Sequence, residues 1–407
     1  MGLRELDIDL TDDQKAMRDS AKKFFAEVWR PAAIQLDKLP YPQDVIAERS
    51  VLWDVFRKSY QMGFHKMIIP KAFGGLEVDA LTGALVYEQM GWAASDLAAS
   101  VSVSSFPFSF SMISNDLEVQ NMTRRFCEDT DAKMIGCWAL TEPDHGSDWI
   151  LPHGEHSSNP KCTPSVKAKR DGDEYVINRQ KSAWISNGTI ATHAALFLSL
   201  DPSKGMENCG IAAIPLNYPG ISRGKPLDKM GQRALNQGEI LFDNVRIPKT
   251  NIVCKDPPTF KVIADITLAT ANAGMENIFS GLGQAALEEA LKYAKERVQG
   301  GKTIMNHQNV KLKLFDMFMS VEAARCLARR LSVYNSVTRP PALHYSIASK
   351  VFSTETAFRV ASHAIQIFGG YGLSREYPIE KIFRDARAAM IEDGVNETLA
   401  IGGAERL

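Results

Sequence analysis

The chain has 407 residues, with 47 Lys and Arg against 48 Asp and Glu and a formal net charge of −1, so it lacks the basic excess of a nucleic-acid binder. It is 45% hydrophobic and 23% charged, an ordinary globular composition at a length that suits two or three domains. No apolar run reaches the roughly 18 residues that span a bilayer. The start, Met1-Gly2-Leu3-Arg4-Glu5-Leu6-Asp7, has no signal-peptide core and no myristoylation pattern, and the expected location is cytoplasmic.

In chain order, a helical region comes first. Thr11 and Gln14 form a capping box, and Met17, Ala21, Phe24 and Val28 follow at helical spacing. Pro31 is expected to end or bend that helix. A glycine-bearing loop over 70–75 precedes a helix from about Ala80 to Gly91. Small residues then fill 95–105 and give way to Phe106, Phe108 and Phe110, either a close backbone approach with an apolar wall or plain helix packing. From about 136 the pattern turns to strands. Residues 166–169 and 174–177 are arms around Asp171-Gly172, and 194–200, 210–215 and 238–247 are further candidates. From about 257 the chain is helical again, with Val310, Leu314, Met317, Val321, Ala324, Ala328 and Leu331 in a bundle-core stripe. The expected fold is α+β and multidomain: a helical N-terminal domain (1–135), a β middle domain (136–255) and a C-terminal helical bundle (256–407).

Cys127, Cys137, Cys162, Cys209, Cys254 and Cys326 contain no C-x-x-C pair and read as small apolar fillers in a reducing compartment. Cys162, near His153 and His156, is the one with company suited to a ligand or nucleophile. The chemistry shows elsewhere. Near the C-terminus, Glu392 and Asp393 stand directly before Gly394, which can turn the chain so that a carboxylate projects into a cavity; the same residues also suit a solvated helix end. A long apolar helix is expected to lead into them. In 139–148, Ala-Leu-Thr-Glu-Pro-Asp-His-Gly-Ser-Asp, and 181–188, Lys-Ser-Ala-Trp-Ile-Ser-Asn-Gly, Thr141 and Ser186 could hydrogen-bond a heterocycle that Trp184 covers. Gly369 and Gly370, in Gln366-Ile367-Phe368-Gly369-Gly370-Tyr371-Gly372, allow a phosphate close to the backbone.

Together, in this order and with Leu227-Asp228-Lys229-Met230-Gly231 and Tyr293-Ala294-Lys295-Glu296-Arg297, these motifs resemble the acyl-CoA dehydrogenase family over nearly the whole chain. The resemblance implies non-covalent FAD. Leu140, Thr141, Trp184 and Ser186 match flavin-contacting positions, and Gly146 and Ser147 the loop where cofactor and acyl-CoA meet. Arg297, Gln308, Gln366, Gly369 and Gly370 match positions that reach the adenine-diphosphate part of FAD in a neighbouring subunit, implying a homo-oligomer, commonly a tetramer. Ser147, Ser102, Phe106 and Gly394 are the implied substrate contacts. The implied electron acceptor is electron-transfer flavoprotein. The implied reaction removes a proton from an acyl-CoA thioester and passes hydride to flavin N5, giving an enoyl-CoA.

Several features depart from the family pattern. Asp393 occupies the place of a glutamate base, and its carboxylate stands back by roughly 1.5 Å. A misplacement near 1 Å can cost about 100-fold in rate, so either the substrate or the backbone shifts to meet it, or a vinylogous proton is removed. Glu392 is the runner-up base. Ala271 fills the position of an alternative helical base, with Glu276 about a turn and a half further on. Residues 149–162 form an apparent insert, and Gly300 follows Gln299 where an aromatic residue is common. Ala98 stands where an arginine would recognise a distal carboxylate, so the expected acyl group is uncharged and bulky, branched or cyclic. Alternatives are an oxidase of a small carbon acid, resembling nitroalkane oxidase, and a dehydrogenase of carrier-protein thioesters.

Overall fold

The computed structural model describes residues 6–150 and 157–407. The N-terminal region holds α1 (Asp12–Phe24), α2 (Arg30–Asp37), α3 (Pro42–Val45), α4 (Val51–Gln61), α5 (Ala80–Val103), α6 (Phe106–Ser111) and α7 (Leu117–Glu128). Both halves of the Thr11–Gln14 capping box are present. Pro31 does not end the helical path. A five-residue π-turn, Phe25–Trp29, leads straight into α2, and Pro31 sits in the first turn of α2, where its missing N–H would have no partner anyway. The small-residue stretch is helical too, so α5 runs past Gly91 to Val103, broken only at Ala94 (φ −167°, ψ 100°).

The middle of the chain forms one eight-stranded sheet: β1 (Gly136–Ala139), β2 (Lys167–Asp171), β3 (Glu174–Lys181), β4 (His193–Ser199), β5 (Cys209–Pro215), β6 (Ile221–Arg223), β7 (Ile240–Pro248) and β8 (Ile252–Cys254). The order is β6-β7-β3-β2-β4-β5-β8, with β1 parallel to β4. The Asp171-Gly172 signal is a hairpin turn, with Asp171 opposite Glu174 and Gly172 at φ +63°. β4 and β5 are apolar on both faces, as strands covered on both sides must be.

The C-terminal region consists of α8 (Pro257–Glu296), a small hairpin β9 (Val298–Gln299) and β10 (Lys302–Thr303), then α9 (Gln308–Val337), α10 (Leu343–Phe368), α11 (Ile379–Ala389) and α12 (Asn396–Ala404). The predicted stripe on α9 is buried from Leu314 to Leu331. α8 also packs on α5 with backbones in contact. A Cβ on Gly91 would sit 1.8 Å from the Ile278 carbonyl oxygen, and one on Gly281 1.9 Å from that of Glu88. Buried Glu88 accepts hydrogen bonds from Arg325 and Arg329 of α9, both at 2.7 Å. The helix leading into Glu392 and Asp393 is not long and apolar but the 11-residue amphipathic α11.

Candidate active site

Residues 390–395 form a turn between α11 and α12, and this turn carries both adjacent carboxylates. Asp393 and Gly394 have consecutive positive φ angles, +51° and +100°. Only glycine takes the second readily, and a Cβ on Gly394 would meet Ile150 Cδ1 at 2.6 Å and Leu399 at 3.0 Å. The loop is pinned from two sides. Ser147 Oγ accepts from the N–H of Val395 at 3.2 Å. Lys350, fully buried on α10, donates to the Gly394 carbonyl at 2.8 Å and to Asn396 Oδ1 at 2.9 Å. Among the described residues the Asp393 N–H donates no backbone hydrogen bond.

Burial raises the Asp393 carboxyl above the usual carboxylate range, and the Lys350 charge opposes that rise. Glu392 has a different partner. Its carboxylate accepts from Gln232 Nε2, and burial, reinforced by the neighbouring Asp393 charge, pushes it up to about 7. Lys229 is pushed down to about 8 by burial, against the pull of Glu392, Asp96 and Asp385. It donates to Leu235 O and Gln237 Oε1, at 2.8 and 2.7 Å. Gln237 in turn donates to Trp184 O at 3.0 Å and Ser186 Oγ at 3.3 Å. Glu276 is fully buried, with Ser332 and Ser349 as polar neighbours on α9 and α10, and burial drives its carboxyl well above the ordinary range. None of those partners lies in the 390–397 loop. Ala271 is buried on α8.

The 139–148 segment leaves β1 and is held by an internal ion pair. Lys181 Nζ lies 2.7 Å from Glu142 Oε1, both side chains fully buried, and also donates to the Leu140 carbonyl at 2.8 Å. Glu142 accepts the N–H groups of Ser165 and Val166 as well. Thr141 O takes the Ser182 N–H at 2.9 Å, which joins the two motifs side by side. Asp148 accepts from Gly146 N at 2.6 Å and pairs with His145, shaping the loop that presents Ser147. Trp184 remains 58% exposed, a large indole left uncovered beside Leu140, Thr141 and Ser186.

A second cavity, of about 790 Å³, opens between the β9–β10 hairpin, the start of α9 and the end of α10. Arg297, Gln366, Gly369 and Gly370 line it together with Gly300, His307 and Tyr371. Gln308 begins α9 between the lining residues His307 and Asn309 but is not itself in the wall. Nothing lies within 4 Å of a Cβ built on Gly369 or Gly370, so the backbone there is open to a ligand. Gly300, at φ +63°, turns the hairpin in the same wall.

Phe106 stacks on Trp138, ring centroids 5.0 Å apart. Trp138, Leu140, Trp149, Ile150, Phe197, Ala264 and Leu268, with Asp265 and Thr267, line a narrow crevice, and the Trp138 and Trp149 indole N–H groups are buried without partners. Ser102 Oγ is buried near Tyr87, whose phenol burial pushes up. Ala98 is fully buried. Cys127, Cys137, Cys209 and Cys254 are buried, Cys162 is intermediate and Cys326 exposed, and all six are free thiols. His153 and His156, the company expected for Cys162, lie outside the described residues, as do the other residues of the apparent insert from 151 to 156. Among the described residues no cluster suits a metal ion, and no helix is long and apolar enough to cross a membrane. Lys350 and Gln232 escaped sequence reasoning. Lys350 left one signal, a lone charge on a buried face of α10 otherwise made of apolar and small hydroxyl side chains.

Three family models match in chain order: "Acyl-CoA dehydrogenase, N-terminal domain" over residues 11–116, "middle domain" over 137–245 and "C-terminal domain" over 272–407. The chain is 31% identical over 394 residues to the short-chain specific acyl-CoA dehydrogenase of Rattus norvegicus, covering 96% of this chain and 89% of that one. Among solved structures, butyryl-CoA dehydrogenase from Megasphaera elsdenii superposes with a TM-score of 0.84 at 27% identity, each chain covered in full. A chain in the structure of the electron transferring flavoprotein of Acidaminococcus fermentans matches with a TM-score of 0.84 at 28% identity, over 98% of this chain and 99% of that one.

Proposed function

The chain belongs to the acyl-CoA dehydrogenase family, an FAD-using oxidoreductase family, and from that premise we propose that it oxidises an uncharged, bulky acyl-CoA with Asp393 as the base. The observation that carries this reading is the Asp393 carboxyl, raised by burial and set on a doubly left-handed turn whose backbone is pinned at Val395 by Ser147 and at Gly394 by Lys350. The α-proton of a thioester is weakly acidic, and a desolvated carboxylate is a stronger base than one in water. The free Asp393 N–H is a donor for the thioester oxygen as negative charge grows there. The shorter reach of aspartate relative to glutamate suits a substrate whose acidic carbon sits close to the loop, as in a branched or cyclic acyl group, or one whose vinylogous proton is removed.

The residues fit FAD. The open backbone at Gly369 and Gly370, with Arg297 and Gln366 in the same cavity wall, suits a diphosphate and its nucleoside. Leu140, Thr141, Ser186 and the uncovered Trp184 would hold the flavin ring. Bound FAD supplies a two-electron acceptor for the hydride lost from the carbon next to the deprotonated one. Trp138, Leu140, Trp149, Ile150, Phe197 and Leu268 give the crevice a mainly apolar wall, with Asp265 and Thr267 at its α8 side, and buried Ala98 adds no cation that could pair a distal carboxylate, which supports the uncharged acyl group. We assign electron-transfer flavoprotein as the acceptor, supported by the likeness to a chain of such a structure. Exposed Leu312, Phe315 and Met319 share one face of α9 and support assembly into a homotetramer of three-domain subunits, divided at 1–135, 136–255 and 256–407.

Anaerobic titration of the FAD-loaded protein with straight, branched, cyclic and aryl-bearing acyl-CoA esters tests this reading. Bleaching of the flavin by one uncharged, bulky class is the expected result. A protein that no thioester bleaches, but a small carbon acid does, would replace the reading with an oxidase.

A further inference from the structure

The base loop has a buried lysine behind it. Lys350 is fully inside the bundle, yet its ammonium reaches the carbonyl of Gly394, the residue after Asp393, at 2.8 Å. Its second acceptor, Asn396 Oδ1 at 2.9 Å, begins α12, and the Asn396 amide is fixed by Thr354 Oγ1 at 3.1 Å. Lys350 thus grips the turn just past both left-handed residues, while Ser147 holds it from the sheet side. A full charge at this depth is costly unless compensated. Asp393 is the first of its compensating carboxylates, followed by Glu392 and Glu397. On the packed helices, Lys381 on α11 pairs with both Asp385 and Asp96, and Arg325 and Arg329 on α9 pair with Glu88. Glu276 on α8 faces Ser332 and Ser349 with Oε2 unpartnered, and Arg387 Nη1 on α11 is also buried without a partner.

We propose that Lys350 is a positioning residue for the base: it fixes the backbone that aims Asp393 and keeps the carboxylate ionised in a dry pocket. The inference rests on the assignment of Asp393 as base. It explains how a buried aspartate stays competent to take a proton at neutral pH, since Lys350 is the cation that opposes burial at Asp393. Burial brings Lys350 down to about 8, so above that pH the ammonium charge that opposes burial at Asp393 is lost.

The test follows the ¹³C carboxyl resonance of Asp393 in FAD-loaded protein labelled on aspartate, assigned with Asp393→Asn, alongside stopped-flow flavin reduction by a reactive acyl-CoA. In the unmutated protein the Asp393 signal should show a second step as Lys350 titrates. In Lys350→Met its midpoint should rise by about one pH unit or more. Flavin reduction should slow about 100-fold, with KM within about threefold. Lys350→Arg, which keeps the charge, should hold the midpoint near that of the unmutated protein. An Asp393 midpoint unmoved in Lys350→Met overturns the inference. So does a one-step Asp393 curve in the unmutated protein, a result that does not depend on any variant folding. If Asp393 follows Lys350 but no acyl-CoA bleaches the flavin, the pairing stands and the assigned reaction falls.

Discussion

Lys181 and Glu142 form a fully buried pair at 2.7 Å beneath the segment that presents Leu140 and Thr141. Removing one partner of such a pair costs about 3–5 kcal/mol because the survivor is left uncompensated. The two sides are unequal here. In Lys181→Met, Glu142 keeps the N–H groups of Ser165 and Val166, so the cost should fall near the lower end, about 3 kcal/mol. In Glu142→Ala, Lys181 keeps only the Leu140 carbonyl, and two buried N–H donors are stranded at about 1–3 kcal/mol each, bringing the loss to about 5 kcal/mol or more. Burial already pushes the Lys181 ammonium down. An unfolded chain therefore binds more protons than a folded one at this residue, and Glu142→Ala should recover stability as pH rises above neutrality. Urea unfolding of the FAD-saturated protein, followed by tryptophan fluorescence, measures this directly. Trp149, whose ring lies 5.1 Å from Lys181 Nζ, serves as the local reporter. Lys181→Met within about 1 kcal/mol of the unmutated protein, or less damage from Glu142→Ala than from Lys181→Met, would refute the reasoning.

Gly370→Ala adds a Cβ to the open cavity wall that meets no neighbour within 4 Å; it should weaken FAD retention at least about tenfold while leaving the melting temperature of the cofactor-free protein nearly unchanged, by equilibrium dialysis and calorimetry. Glu392 is held at about 7 against an ordinary 4.5 by burial. Its stabilising proton is present below the lower value and lost as pH climbs through the higher one, so Glu392→Gln should narrow the fall in melting temperature between those two pH values. Burial pushes Cys137 and Cys209 up to about 12 and Cys127 and Cys254 up to about 11. Intact-mass analysis should find all four unlabelled by maleimide in the native protein and labelled once it is unfolded.

What could be read from the sequence was what neighbours along the chain decide. The capping box at Thr11, the turn at Gly172 and the stripe from Leu314 to Leu331 depend on spacings of two to four residues, and each stands as the pattern requires. Pro31 misled because a proline is harmless in the first turn of a helix, and the preceding π-turn lets α2 begin there without a gap. The sequence left 95–105 open between a close backbone approach and plain helix packing, because serine and alanine runs are neutral locally, and α5 takes the second to Val103. Contacts across the fold hold that segment, such as Ser100 Oγ donating to Asn187 Oδ1 at 2.7 Å.

The candidate site divides the same way. Asp393-Gly394 announces an unusual turn in its own two residues, and Arg297, Gln366, Gly369 and Gly370 converge on one cavity from two helix ends. The roles of Lys350 and Gln232 could not be read locally because their partners lie 44 and 160 residues away. A buried lysine in a helix has no local signature of the carbonyl it will meet. Glu276, a plausible carboxylate by position alone, proves to be enclosed by serines of the bundle.

The central claim is that Asp393 takes the proton. Stopped-flow reduction of the FAD-loaded Asp393→Asn variant, with whichever acyl-CoA bleaches the unmutated protein, tests it most directly. The account predicts unchanged FAD content and acyl-CoA binding with a rate constant for reduction lower by about 10²–10⁴-fold. Reduction at the rate of the unmutated protein would contradict it and pass the role of base to Glu392 or another group.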